Sequence, residues 1–229
     1  MYAIALTSIP PRFSRLGPVL DSLLAQRPAP ARVLLCLPER FTRFPGAQAP
    51  PALPDGVALL RAARDFGPAT KALAPARALG GSGLKLLYCD DDWLYPPGWA
   101  AALLAAERPG EAVAATGWSV ARLGRQGAAP EGCVDIAQGY SGVLVDPRWL
   151  APPDCDPPEA ARSVDDIWLS GQLARQGLFI RLAPEARAGL RPAYDDAHGL
   201  QDEGRRHADN MACAALLHAH YGIWPGSGQ

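Results

Sequence analysis

Short apolar runs alternate with helical spacings along this chain, and that alternation constrains its fold more than any other feature. Residues 2 to 8 read as a strand. A helix starts near Pro18, where proline suits a first turn, and runs through Leu20, Leu23 and Leu24; a second strand, Arg32 to Leu37, follows at once. Strand–helix–strand spacing with continuous apolar runs predicts a sheet buried on both faces. The expected fold class is therefore α/β, with a Rossmann-like, mostly parallel sheet flanked by helices.

The rest of the chain repeats the theme less cleanly. Residues 38 to 56 carry Pro38, Pro45, Pro50, Pro51 and Pro54 and read as a loop before a short strand at Val57 to Leu60. Helix 68 to 79 and strand 84 to 88 form the next unit. Pro96 and Pro97 open a helix reaching about Glu107, and Ala112 to Val120 and Gly142 to Val145 read as strands. A second proline-rich loop, Pro152 to Pro158, leads to a helix from Val164 to the stop at Gly177, then a strand from Leu178 to Leu182. The last helix is Glu203 to Tyr221, amphipathic through Met211, Ala214, Ala215 and Leu217. No internal repeat or composition break divides the chain, so one domain over 1–229 is expected.

Composition excludes several function classes. With 22 basic and 23 acidic residues the net charge is -1, which gives no global attraction to nucleic acid or to an anionic membrane. Five scattered cysteines with no Cys-x-x-Cys pair argue against a disulfide framework or a zinc ribbon, and fit a reducing compartment. Met1 to Thr7 enters a strand without a basic leader or a cleavage site, and no apolar run approaches 18 residues. A soluble protein is expected, cytoplasmic or peripheral at the inner membrane, without a transmembrane segment.

The residues hardest to explain as scaffolding are Asp90, Asp91 and Asp92, which follow the apolar run ending at Tyr88. If the strand continues, Asp90 and Asp92 point to one side and Asp91 to the other. Two carboxylates then converge at the carboxyl edge of the sheet, where ligands bind in open α/β folds. Asp92 lies too far from Pro96 to cap the following helix. A hard divalent cation, Mg²⁺ or Mn²⁺, would relieve the repulsion better than solvent does.

Strand-Asp90-Asp91-Asp92 resembles the Asp-x-Asp motif of the GT-A glycosyltransferases, in particular small bacterial-type enzymes similar to family 2. Further segments agree in order: Ala5 to Arg12 at the first strand end, Asp65-Phe66-Gly67-Pro68-Ala69-Thr70-Lys71, Gly139-Tyr140-Ser141-Gly142, and Asp165 to Gly171. The resemblance spans nearly the whole chain. It implies a nucleotide-binding half over 1–120 and an acceptor and catalytic half over 121–229. It also implies metal-dependent transfer of a sugar from a nucleotide diphosphate sugar, UDP-sugar favoured, to a hydroxyl of a glycan or lipid-linked acceptor, with inversion.

The resemblance assigns roles residue by residue. Asp92 is the metal ligand, and Asp90 lies near ribose and metal, with Asp91 beside them. Thr7, Arg12 and Asp65 line the nucleotide pocket, and Lys71, near a helix start, contacts the diphosphate or donor sugar. Asp165 and Asp166 could simply favour the first turn of their helix; the family pattern makes one of them the general base, Asp166 ahead of Asp165. His198, then His207, is the candidate third metal ligand, and Trp118 and Tyr140 stand on the acceptor side. Two other readings share these features: a sugar-nucleotide nucleotidyltransferase, weakened because Pro10-Pro11-Arg12 stands where a glycine-rich basic loop would be, and a catalytically silent carbohydrate-binding scaffold.

Overall fold

In a computed structural model, residues 1–46, 48–194 and 203–227 are described. Among these residues twelve strands occur in chain order: β1 (Tyr2–Thr7), β2 (Arg32–Pro38), β3 (Val57–Ala62), β4 (Lys85–Cys89), β5 (Trp93–Leu94), β6 (Glu111–Ala114), β7 (Gly117–Trp118), β8 (Cys133–Val134), β9 (Ile136–Ala137), β10 (Val143–Val145), β11 (Phe179–Leu182) and β12 (Arg191–Pro192). Five α-helices accompany them: α1 (Gly17–Leu24), α2 (Thr70–Leu79), α3 (Trp99–Ala105), α4 (Asp165–Ala174) and α5 (Glu203–Tyr221).

Eight strands form one sheet in the order β3-β2-β1-β4-β10-β6-β11-β8. β1, β2, β3 and β4 pair in parallel, as do β6 and β11. β10 runs antiparallel to both β4 and β6, and β8 antiparallel to β11. The fold is mixed α/β with a mostly parallel sheet flanked by helices, as the apolar runs predict.

The buried register explains the runs. β1 buries residues on both faces. Ala3 and Ala5 lie in one core with Leu73, Ala76 and Leu86, while Ile4 and Leu6 lie in the other with Leu20, Leu35 and Trp99. A strand that must be apolar on both sides cannot alternate, so its sequence reads as an unbroken apolar run. A third apolar group, with Val120, Ile136, Trp168 and Leu217, joins α4 and α5 to the β7–β9 region.

Two differences from the sequence reading bear on the site. The expected strand Ala112 to Val120 stops at Ala114 and resumes only as β7, where Gly117 pairs with Ala137 so closely that a Cβ would overlap the Ile136 carbonyl and Val134. The chain then passes through β7, the edge strand β8 and β9, and enters the middle of the sheet as β10 from the carboxyl ends of β4 and β6. No helical crossover intervenes, so β10 is antiparallel. This brings the Gly139–Ser141 turn to the end of β4.

Candidate functional site

The chain leaves β1 for β2 and β3 on one side, then returns to place β4 on the other side of β1. The point between β1 and β4 is thus a topological switch, where diverging connections leave a crevice at the carboxyl ends of the strands. Ser8 and Arg12 follow β1 here, and Asp90, Asp91 and Asp92 follow β4.

β4 ends at Cys89, so side-chain alternation does not extend through the acids. Asp91 turns into the protein and is 3% exposed. It accepts hydrogen bonds from the Ser8 hydroxyl and from Arg12 Nη1, the latter at 2.5 Å. Arg12 Nη2 also lies 3.5 Å from Asp92 Oδ2. Asp90 turns the other way, to Lys71 Nζ at 2.5 Å. The expected pairing of Asp90 with Asp92 is replaced by Asp91 and Asp92 sharing one arginine, with Asp90 on a lysine.

Lys71 does not reach the crevice as a free cation. Its side chain, on the first turn of α2, is buried, and its Nζ is held by Asp90 and, at 2.6 Å, by Asp165 Oδ2. Burial alone would lower this ammonium's pKa, but the charges of Asp165, Asp90 and Asp166 outweigh it and hold the pKa well above the ordinary lysine value. Asp166 Oδ1 accepts from the Gly139 backbone N–H at 2.8 Å. Burial, reinforced by Asp165 next to it, raises the Asp166 pKa to about 7, against the pull of Lys71.

Among the described residues, the carboxylates of Asp90, Asp91, Asp92, Asp165 and Asp166 thus share Arg12 and Lys71. Burial of Asp92, with repulsion from Asp90 and Asp91, lifts its pKa to about 7 despite Arg12. Asp91 is raised as well, burial outweighing Arg12 and Ser8. Asp92 Oδ1 is buried and has no hydrogen-bond partner among the described residues. An excess of anionic oxygen with one orphaned acceptor fits a hard divalent cation. Among the described residues no three His, Cys, Asp or Glu side chains are grouped to hold a metal ion. A hard cation here would take one or two carboxylates of the described residues as ligands, not an all-protein cage. His198 lies outside the described residues, and His207 is on an exposed part of α5.

The remaining candidates divide. Thr7 donates from Oγ1 to the Cys36 carbonyl at 2.7 Å, joining β1 to β2. Asp65 accepts from the backbone N–H groups of Thr42 (2.7 Å) and Gly67 (2.8 Å), and Arg162 lies 3.4 Å from it. Its carboxylate organises two loops beside the crevice. Tyr140 stacks at 4.7 Å on Trp93, and its carbonyl accepts from Tyr95 Oη, which also donates to the Asp90 carbonyl. Trp118 packs against the third apolar group with Arg122 over its ring, outside the bonds that build the acid cluster.

Sequence reasoning did not single out Ser8, Gly139, Tyr95, Trp93, Arg162 or Tyr194. Tyr194 donates to the Asp91 carbonyl at 3.1 Å, and the Ala193 N–H donates to the Asp92 carbonyl at 2.8 Å. Together with pairing of β12 to β5, these bonds strap a distant segment across the acid run. Ser8 and Gly139 lie inside segments that the sequence reading quoted, but neither was given a role of its own.

No protein-family model matches the chain, and no curated protein matches it. Among solved structures, the chain is similar to the galactosyltransferase LgtC in complex with donor and acceptor sugar analogues, with 13% identity and a TM-score of 0.42. That match covers 65% of this chain and 59% of the other, so the chain spans less than two thirds of that protein's length. An active-site mutant of LgtC matches at 12% identity and a TM-score of 0.43, covering 91% of this chain and 83% of the other.

Proposed function

We propose that this protein is a metal-dependent glycosyltransferase of GT-A type. It moves a sugar from a nucleotide diphosphate sugar, a UDP-sugar in the first instance, to a hydroxyl of a glycan or lipid-linked acceptor with inversion. The observation that carries the reading is the set of acids at the β1–β4 switch point, with Asp92 Oδ1 buried and without a hydrogen-bond partner among the described residues. Such a site repels a diphosphate unless a divalent cation comes with it, and it suits the two together.

Asp92 would hold the cation, with Asp90 at its edge; when bound, the cation neutralises diphosphate oxygens and stabilises the leaving group. Arg12 keeps Asp91 and Asp92 in place, and Ser8 fixes the buried oxygen of Asp91. Asp166 is the general base. One of its oxygens is held by Gly139 N–H, and its pKa of about 7 suits a carboxylate that takes a hydroxyl proton near neutral pH. Asp165 is less suited, because it is committed to Lys71.

The test is release of nucleotide diphosphate from a panel of nucleotide sugars with Mn²⁺ or Mg²⁺, with and without simple glycoside acceptors. Release from at least one donor is expected, abolished in Asp92→Ala, with transfer to acceptor lost in Asp166→Asn. A panel in which no donor is cleaved and no nucleotide diphosphate raises the melting temperature with either cation overturns the reading.

A further inference from the structure

Resting on that reading, we infer that Lys71 is a positioning residue: a buried ammonium that ties the donor-side acid Asp90 to the base-bearing start of α4. The geometry is specific. Nζ is within 2.5 Å of Asp90 Oδ1 and 2.6 Å of Asp165 Oδ2, on a side chain that is 2% exposed. Asp90 follows β4, Lys71 lies in the preceding helix α2 and Asp165 opens α4, so one ammonium joins the consecutive α2–β4 unit to an element far along the chain.

A second observation, independent of the charges, points to the same junction. Gly139 sits directly against it, where a Cβ would come 2.8 Å from Nζ and 3.1 Å from Asp166 Oδ1. The same glycine's N–H holds Asp166 Oδ1. A side chain at position 139 would therefore press on the lysine tip and the base carboxylate together. A lysine present only to neutralise buried charge would need no such clearance and no contact with both sides of the reaction.

The consequence is mechanical. A leaving group and a general base act on one sugar carbon and one hydroxyl, and their separation has to hold within a fraction of an ångström. α2, packed on the sheet through Leu73 and Ala76, provides the rigid mount for the tether. In that arrangement Lys71 touches neither donor nor acceptor, and its effect passes through Asp90 and Asp165.

Two variants and their combination test this. Lys71→Met removes the ammonium and leaves three carboxylates without it, so both stability and turnover fall. Lys71→Met/Asp165→Asn restores the local charge balance. The expected result is that the double variant regains most of the lost melting temperature while kcat stays about 100-fold down, with the donor KM changed less than about threefold. Gly139→Ala, which alters no charge, should give the same split between kcat and KM. The tether is overturned if the double variant recovers kcat together with stability, or if the loss in Lys71→Met lies in KM alone. The stability comparison needs no substrate. Absence of coupling between the two substitutions therefore counts against the tether, whereas absence of any turnover in the unsubstituted protein counts against the glycosyl-transfer reading.

Discussion

At the scale of single residues, the acid cluster makes a prediction about pH. Asp92 and Asp166 both have folded-state pKa values raised to about 7 from an ordinary carboxylate value near 4. Between those limits the folded protein binds more protons than the unfolded chain, so stability falls as pH rises from about 4 to about 7 and stays low above it. Asp166→Asn removes one such group. It should raise the melting temperature at pH 8, by about 1–3 kcal/mol of stability, and flatten the decline between pH 4 and 7. Thermal melts of the two proteins across that range, in chelator, are the measurement; parallel curves would show that Asp166 ionises as it does in the unfolded chain. Gly142 offers a second residue-scale prediction. It has φ +100°, and a Cβ there would overlap the Trp99 indole, which donates to the Ser141 carbonyl at 2.7 Å. Gly142→Ala combines a disfavoured backbone with displacement of a buried ring, and a loss of about 3 kcal/mol or more in urea unfolding is expected.

At the scale of elements, legibility followed burial. The strands β1, β2 and β4 were readable because burial on both faces forces unbroken apolar runs. α5 was readable from its apolar stripe and matched its expected span, Glu203–Tyr221. The two-residue strands β5, β7, β8, β9 and β12 were not, since so short a segment has no period to detect and is set by its partner. Asp135 shows how that region is held instead. Its carboxylate, buried beside β9, accepts from Ser119 Oγ and Val120 N at 3.0 Å and from Ala128 N and Ala129 N at 3.2 Å. Gly127 packs so closely on it that a Cβ would overlap the carboxylate. No local pattern announces a side chain that serves backbone groups up to fifteen residues away. Asp135→Ala would leave three backbone donors to find other partners, at a cost of about 2–4 kcal/mol. Limited proteolysis should then find the 119–129 segment first; unchanged cleavage would mean that water replaces the carboxylate.

At the scale of the whole molecule, the site exists because the order β3-β2-β1-β4 brings together segments some 80 residues apart. The acid run itself was legible, and the resemblance to GT-A enzymes pointed to Arg12, Lys71, Asp165 and Asp166. Their partnerships were not legible: that Arg12 serves Asp91 and Asp92 while Lys71 serves Asp90 and Asp165 depends on which way each chain turns after its strand. Among the described residues, the outcome is a crevice in which five carboxylates share Arg12 and Lys71, in a protein of net charge -1. That local imbalance is a property of the assembled fold, and on the proposed reading it would make the folded state a better ligand for a divalent cation than the unfolded chain. Mn²⁺ in the absence of nucleotide should therefore raise the melting temperature, by about 2.7 kcal/mol of stability at a hundredfold excess over its dissociation constant. Chelator should reverse the shift. Asp92→Asn should abolish most of it while itself melting higher than the parent in chelator at pH 8, because it removes a buried, repelled carboxylate. A shift that survives in Asp92→Asn would place the cation elsewhere, and the charge imbalance at the switch point would then need another explanation.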